Sequence, residues 1–400
     1  MRALISTIEP VDGGVPSKLR WLTQELLQLG ITPILAWYEP WSRSPLLSVP
    51  AFALFSGRTP SARVDRVWQR FDGHAIGCWF PELEFTHYLP GRHWHQLMRS
   101  VDLHLAVTGN PLCAHRYVDT GLPFLAWIGS DWQGDRQERV RRFPWHRRLL
   151  DRGVNSPVLR QFERRVLRAP TGHLLTISQA TAHTLEHLSG RRPHGVLYRP
   201  PDPCFKPVGP GPVPWRIGFS GRYSDPRKQL NLLLDAVVQL RHQGFPVQLE
   251  LTGEPQPDAG IAAAIAQRNL KSVVHCHPAL SIEALAGVIC RWDVFVIPSY
   301  QEGLCIAALE AMACGVPVVS TRCGGPEDFV IPDHTGDLVP HDPAALAHAI
   351  AAICADRQRR TRLSIGAIEW IERHASQHES QRRLRSHLRT AFPRLMAHGL

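Results

Sequence analysis

Two carboxylates eight positions apart, Glu302 and Glu310, lie between an apolar run, Val294-Phe295-Val296-Ile297, and a helix of small residues. Glu302 falls in the loop and Glu310 inside the helix, whose apolar face is supplied by Leu304, Ile306, Leu309 and Met312. Ala307, Ala308, Ala311 and Ala313 let that helix sit close to its neighbours, so an acid in its middle calls for something polar to face it. Pro298 before the loop and Gly315-Val316-Pro317 after the helix mark a strand–loop–helix–turn–strand unit, in which ligands lie at the carboxyl ends of parallel strands.

A cationic cluster occupies an equivalent place. Ser220-Gly221-Arg222-Tyr223-Ser224-Asp225-Pro226-Arg227-Lys228 follows a strand at Trp215–Phe219 and precedes a helix through Leu230–Leu240. Backbone amides and the helix dipole favour an anion there. Arg222 and Lys228 add fixed positive charge, and Lys228 is one of only four lysines in the chain. Cations held in place before reaction stabilise a leaving diphosphate more in the transition state than in the ground state. Three further strand ends carry small or polar groups: Gly13-Gly14, Trp127-Ile128-Gly129-Ser130-Asp131-Trp132 and Cys323-Gly324-Gly325-Pro326-Glu327-Asp328, with Gly253-Glu254 a less specific fourth. Gly13 and Gly14 are as compatible with a plain turn as with close approach to a ligand. Asp131 is equally suited to binding a hydroxyl and to capping the helix that follows.

The acidic segment resembles that of the retaining nucleotide-sugar glycosyltransferases of family 4: a Glu, seven residues, a second Glu, a small-residue helix and Gly-x-Pro-Val-Val. The phosphate segment is similar to that of phosphatidylinositol mannosyltransferases. The resemblance covers residues 215 to 356 closely and the first half only in outline. It implies a GT-B architecture: two Rossmann-like, doubly wound parallel-sheet α/β domains facing an interdomain cleft. It also implies that Glu302, with Gly303, Leu304, Cys305 and Ile306, holds the donor sugar and Glu310 the ribose. Gly221, Arg222 and Lys228 would grip the pyrophosphate, and Gly13 and Gly14 would meet donor or acceptor. The expected catalytic set is Arg222, Lys228, Glu302 and Asp131. Departures are visible: Gln229 stands where a glycine usually follows the lysine, Cys305 where many members carry glycine, and the family's histidine near Asp131 is absent, Ile128 and Gly129 occupying its candidate positions.

These residues need two sheets to hold them. Four hundred residues suit two domains. In the first half, strands at Leu4–Ile8, Thr32–Trp37, Ala75–Trp79, Leu103–Val107, Phe124–Ile128 and His173–Ile177 alternate with helical patterns such as Ser17–Leu29, the mark of a parallel doubly wound sheet. A Pro- and Gly-rich stretch follows Tyr198. The expected division is residues 1–198, an acceptor-binding domain; 199–214, a linker; 215–375, the nucleotide-sugar domain; and 376–400, a helical segment crossing back to the first domain.

Composition narrows the class. Hydrophobic content of 44% with 20% charged residues, and no apolar run long enough to span a bilayer, fit a water-soluble enzyme. No signal peptide is visible, and nine cysteines without close pair spacing read as reduced thiols, so a cytoplasmic protein is expected. His275-Cys276-His277 lacks a second ligand cluster, so no metal and no cofactor beyond the donor is expected. The net charge of +10 is concentrated: Arg136–Arg168 holds eleven arginines against three acids, interleaved with Phe143, Trp145, Leu149 and Leu150. Such a surface suits peripheral contact with an anionic membrane on its inner face, or a lipid-linked hydroxyl acceptor, as well as it suits plain solvation; nucleic acid is not expected as a partner. The activity expected is transfer of a hexose-like sugar from a nucleotide diphosphate to a hydroxyl acceptor. A GT-B epimerase or phosphorylase, or a silent nucleotide-sugar-binding protein, are the alternatives.

Overall fold

The computed structural model describes residues 1–10, 13–141, 143–208, 215–223, 225–253 and 257–398. Expectations resting on Arg142, on linker residues 209–214, on Ser224 and on Glu254 lie outside these. The chain divides into two compact units, Met1–Leu197 with Gln381–Leu400, and Tyr198–Ser380.

The first unit is built on strands β1 (Arg2–Thr7), β2 (Thr32–Tyr38), β3 (Ala62–Val67), β4 (Phe71–Ile76), β5 (Leu103–Thr108), β6 (Phe124–Ile128), β7 (Gly172–Thr176) and β8 (Gly195–Val196), in spatial order β3-β4-β2-β1-β5-β6-β7-β8. β5, β6 and β7 are buried along their whole length, as strands covered by helices on both faces must be. The sheet is not uniformly parallel: β3 runs antiparallel to β4. The turn between them sets Trp68 and Gln69 at positive φ, the geometry of a tight hairpin made without the usual Asn-Gly, so the sequence offers no turn signal and β4 begins earlier than periodicity suggests.

The second unit has β9 (Arg216–Ser220), β10 (Gln248–Thr252), β11 (Val274–Cys276), β12 (Val294–Ile297), β13 (Val318–Thr321) and β14 (Gly336–Val339), ordered β11-β10-β9-β12-β13-β14 with every pairing parallel. Strand order reverses between β9 and β12, so the loops leaving their carboxyl ends run to opposite faces and open a crevice between them. Ile217, Leu249, Val294, Val296 and Val319 fill the core beneath. The last helix, Gln377–Ala391, ends before Pro393, which cannot continue it, and a short 3₁₀ turn, Pro393–His398, follows in place of the continuous helix to residue 400 that was expected. Among the described residues no helix is long and apolar enough to cross a membrane.

That helix is held against the first sheet by histidines. His387 Nδ1 lies 3.0 Å from His173 Nε2 on β7, and the His173 and His194 rings stack at 4.2 Å. His387 packs so closely that a Cβ on Gly195 would lie 2.8 Å from its ring. Burial, then the neighbouring imidazoles and Arg191, pulls His173 down to about 3; burial also lowers His194 and His387, with Arg191 acting on the first and His194 and Arg383 on the second. Groups whose pKa is depressed by folding contribute stability above the unfolded value, near 6.5, and lose it as pH falls. Melting temperature should therefore drop steeply between pH 6.5 and 4, and His173→Gln should flatten that drop in calorimetry; an equal slope in the variant would contradict the histidine origin.

Candidate functional site

In the second unit the loops after β9 and β12 flank the reversal of strand order, and they carry the cation and the acid singled out above. Lys228 ends a 3₁₀ turn, Pro226–Lys228, whose cap is Asp225. Asp225 also takes both Nε and Nη2 of Arg227, at 3.2 and 2.9 Å, which fixes the loop. Tyr300 N–H then donates to the Arg227 carbonyl at 2.8 Å, tying the β12 loop to the β9 loop. Across the crevice Lys228 Nζ reaches Glu302 Oε1 at 2.7 Å, and Ser299 Oγ donates to the same oxygen at 2.6 Å. Burial opposes the Lys228 charge, but Glu302 and, more weakly, Cys305 and Asp225 outweigh it and hold the ammonium above its ordinary range.

The β12 loop is braced from β13. Glu302 N–H donates to the Cys323 carbonyl at 2.8 Å and Gly325 N–H to the Glu302 carbonyl at 2.9 Å. Gly325 must be glycine, because a Cβ there would lie 2.3 Å from the Gly303 carbonyl oxygen. Gly253, at φ 109°, is likewise required: its Cβ would meet Gly221 N at 2.6 Å. Glu327 accepts from Gly324 N–H at 3.2 Å and so spends one oxygen on the backbone.

Glu310, on the helix Ile306–Ala313, is faced by the polar group its position calls for: Arg199 Nη1 is 3.2 Å from Glu310 Oε1, both side chains being largely buried. Burial raises the Glu310 carboxyl to about 7 against the pull of Arg199. Arg222 is solvent-exposed, its Nη2 lying 3.5 Å from Asp225 Oδ2. Leu304 is buried, so its backbone alone can meet a ligand. Arg199 and Ser299 were not recognised as site residues from sequence: the first sits in a proline-rich stretch with no periodicity, and the second is a lone hydroxyl before the acidic loop.

The remaining expected residues belong to the first unit. Gly13, at φ 128°, caps the helix Gly14–Gln28, and Gly14 opens it. Asp131 Oδ2 accepts from Gly134 N–H at 2.7 Å, capping the helix Trp132–Arg141. At the same strand ends lies a group that sequence reading passed over, Lys18. It is buried on the helix Gly14–Gln28, donates to the Thr108 carbonyl at 2.9 Å, and is lowered by burial to about 7. His275 and His277, on one face of β11 or just past it, bond to Gln248 and Glu250.

Comparison with known proteins places this geometry. Residues 214–356 match the family model of the glycosyl transferases group 1. Over 216 residues the chain is 32% identical to the MMP alpha-(1->4)-mannosyltransferase of Mycolicibacterium hassiacum, covering 53% of this chain and 51% of that one. Over 141 residues it is 37% identical to the GDP-mannose-dependent alpha-mannosyltransferase of Mycolicibacterium smegmatis, 34% of each. The chain thus spans at most about half the length of these curated relatives. Among solved structures it is similar to sucrose-phosphate synthase from Thermosynechococcus elongatus (TM-score 0.73, 21% identity, 98% and 99% of the two chains). It is also similar to Anabaena HepE in complex with UDP-glucose (TM-score 0.70, 16% identity, 98% and 100%). The fold is the GT-B architecture.

Two of the three departures from the family pattern share one backbone property. Gln229 (φ 48°, ψ 43°) and Cys305 (φ 68°, ψ 76°) are both left-handed, the conformation that only glycine adopts freely. Gln229 recovers part of the strain through its Nε2, which donates to the Pro226 carbonyl at 2.8 Å. In Gln229→Gly the lost hydrogen bond and the relieved strain, each about 1 kcal/mol, should nearly cancel, whereas a β-branched Gln229→Val should lose a further 1–2 kcal/mol or so. Denaturant titration separates the two; a Gly variant as unstable as the Val variant would show that backbone strain is not the issue.

Proposed function

We propose, for a chain whose residues 214–356 match the family model of the group 1 glycosyl transferases, a retaining, metal-independent hexosyl transfer from a nucleoside diphosphate sugar to a hydroxyl acceptor. The observation that carries it is the Lys228–Glu302 pair at the reversal of strand order, 2.7 Å apart. A diphosphate entering the crevice offers Lys228 a doubly charged partner in exchange for Glu302. The carboxylate, still held by Ser299, is then free to accept from hydroxyls of the donor sugar. Glu310 accepts from the ribose.

As the bond between the anomeric carbon and the phosphate oxygen breaks, negative charge collects on the diphosphate, where Lys228 and the loop amides stand and towards which the exposed Arg222 can swing. The acceptor hydroxyl attacks from the face the diphosphate leaves, and its proton passes to the departing phosphate oxygen. No enzymic base is then needed, and configuration is retained. A relative named for mannosyl transfer and a neighbour holding UDP-glucose support a hexose on a nucleoside diphosphate as donor. Gly13, Gly14 and Asp131 are assigned to the acceptor side of the reaction. An epimerase would transfer no sugar to an acceptor, and a silent binding protein would release no nucleotide at all.

The same reading places the protein in the cytoplasm, peripherally on the inner face of an anionic membrane and with a lipid-linked acceptor. Within the basic stretch, Arg136 is buried against Glu84 and Asp151 and is structural, whereas Arg165 pairs with Asp119 at the surface. The helix Trp145–Leu150 is different: it buries no residue, and Trp145 and Leu149 are 76% and 66% exposed beside exposed Arg147 and Arg148.

Lys228→Ala should lower kcat by about a hundredfold, since losing one preorganised contact to developing charge costs roughly 3 kcal/mol; nucleotide release at the unchanged rate would refute its role. Arg147→Glu with Arg148→Glu should abolish co-sedimentation with phosphatidylglycerol vesicles at low salt and leave nucleotide release from a soluble acceptor intact. Wild-type protein that ignores such vesicles in about 20 mM salt, where screening is weak, would leave the acceptor a soluble molecule.

A further inference from the structure

Glu310 has a partner that no sequence pattern announces. Arg199 is the second residue of the second unit, in a stretch followed by Pro200 and Pro201, and its guanidinium is only 12% exposed. Nη1 lies 3.2 Å from Glu310 Oε1, and that is the one carboxylate with which Arg199 pairs among the described residues. Nε is buried and has no hydrogen-bond partner among the described residues. A buried cation with an unsatisfied N–H is destabilising unless a specific charge holds it. Here that charge is Glu310.

We propose that Arg199 is a positioning residue for nucleotide binding: it holds Glu310 ionised and fixes one of its oxygens, leaving the other to accept from a ribose hydroxyl. This rests on the donor-site reading above. A protonated Glu310 would donate rather than accept and would lose the charge that strengthens its bond to the hydroxyl. Burial, together with the nearby Asp202, drives Glu310 towards the neutral form, and among the described residues Arg199 is the group that opposes them. With Arg199 present the carboxyl titrates at about 7; without it the neutral form persists to higher pH. Nucleotide affinity in this enzyme is thereby made to depend on pH in the neutral range, the dependence being set by a residue that does not touch the ligand.

The test is calorimetric titration of the full chain with UDP and with GDP between pH 5.5 and 9, for wild type, Arg199→Met, Arg199→Lys, Glu310→Gln and the double variant Arg199→Met with Glu310→Gln. Wild-type affinity should fall about tenfold per pH unit below a midpoint near 7, with one proton released on binding there. Arg199→Met should move that midpoint up by a unit or more, weaken binding about tenfold at pH 7 and recover at pH 9, while Arg199→Lys keeps most of the wild-type profile. Glu310→Gln and the double variant should bind weakly with no pH dependence in this range; the double variant, which buries no charge, keeps the test available should Arg199→Met fail to fold. An unshifted midpoint in both Arg199 variants, or a loss of affinity equal at every pH, would overturn the role of Arg199 while leaving the donor site standing. Failure of wild type to bind either nucleotide would overturn the donor-site reading itself.

Discussion

The second unit is organised around one ion pair, Lys228 with Glu302. A buried pair of this kind contributes little to stability by itself, because desolvating two charges offsets most of their attraction. It persists because each partner is held independently. Asp225 and Arg227 set the turn that presents the lysine, and Ser299 and the backbone bonds to Cys323 and Gly325 set the loop that presents the acid. The strand order makes this feasible, since β9 and β12 are neighbours whose following helices diverge, leaving both loops room to meet at the carboxyl edge. Loss of either partner would leave an uncompensated charge in a site already tightened around it.

The same tightness explains where side chains are missing and where they are tolerated under strain. Gly253 and Gly325 are places where backbone meets backbone, and no neighbour could move to admit a Cβ. Gln229 and Cys305 are a different case: the backbone there is left-handed and carries a side chain at a conformational cost of about 1 kcal/mol or more. Cys305 lies near both Glu302 and Lys228, and burial followed by the Glu302 charge pushes its thiol well up, so it stands in the pocket as a small neutral group. A thiol in place of a hydrogen narrows the pocket beside the acid without adding charge.

Much of this was legible in the chain because it depends on local pattern. Parallel strands covered on both faces read as apolar runs, and each chemical motif follows such a run directly, so β9 with Lys228 and β12 with Glu302 could be placed without a structure. What could not be read depends on contacts distant in sequence or on turns with unusual residues. The β3–β4 hairpin turns at Trp68-Gln69, where nothing in side-chain chemistry favours positive φ. Arg199 and Glu310 are 111 positions apart, and the need for a partner at Glu310 was visible whereas its identity was not. Lys18 sits among leucines at helical spacing and gives no sign that its amine ends on the carbonyls of β5 and β6. In the basic stretch, composition counted every arginine alike, although Arg136 is sealed inside by two acids and Arg147 and Arg148 face solvent.

The two acids of the opening motif thus face different cations, and the difference bears on what each can do. Glu302 faces an ammonium and a hydroxyl at the mouth of the crevice, and its cation is the very group a diphosphate would claim; binding there is an exchange of one anion for another, with the lysine charged throughout. Glu310, enclosed to a similar degree, depends on a guanidinium, which cannot be deprotonated. A chain with only four lysines among forty-five basic residues has one of them where a diphosphate would change the partner and an arginine where it would not. That division follows from the groups themselves: the ammonium is a compact charge that can turn from one acceptor to the next, whereas the guanidinium is a planar fork that fixes its acceptor in place.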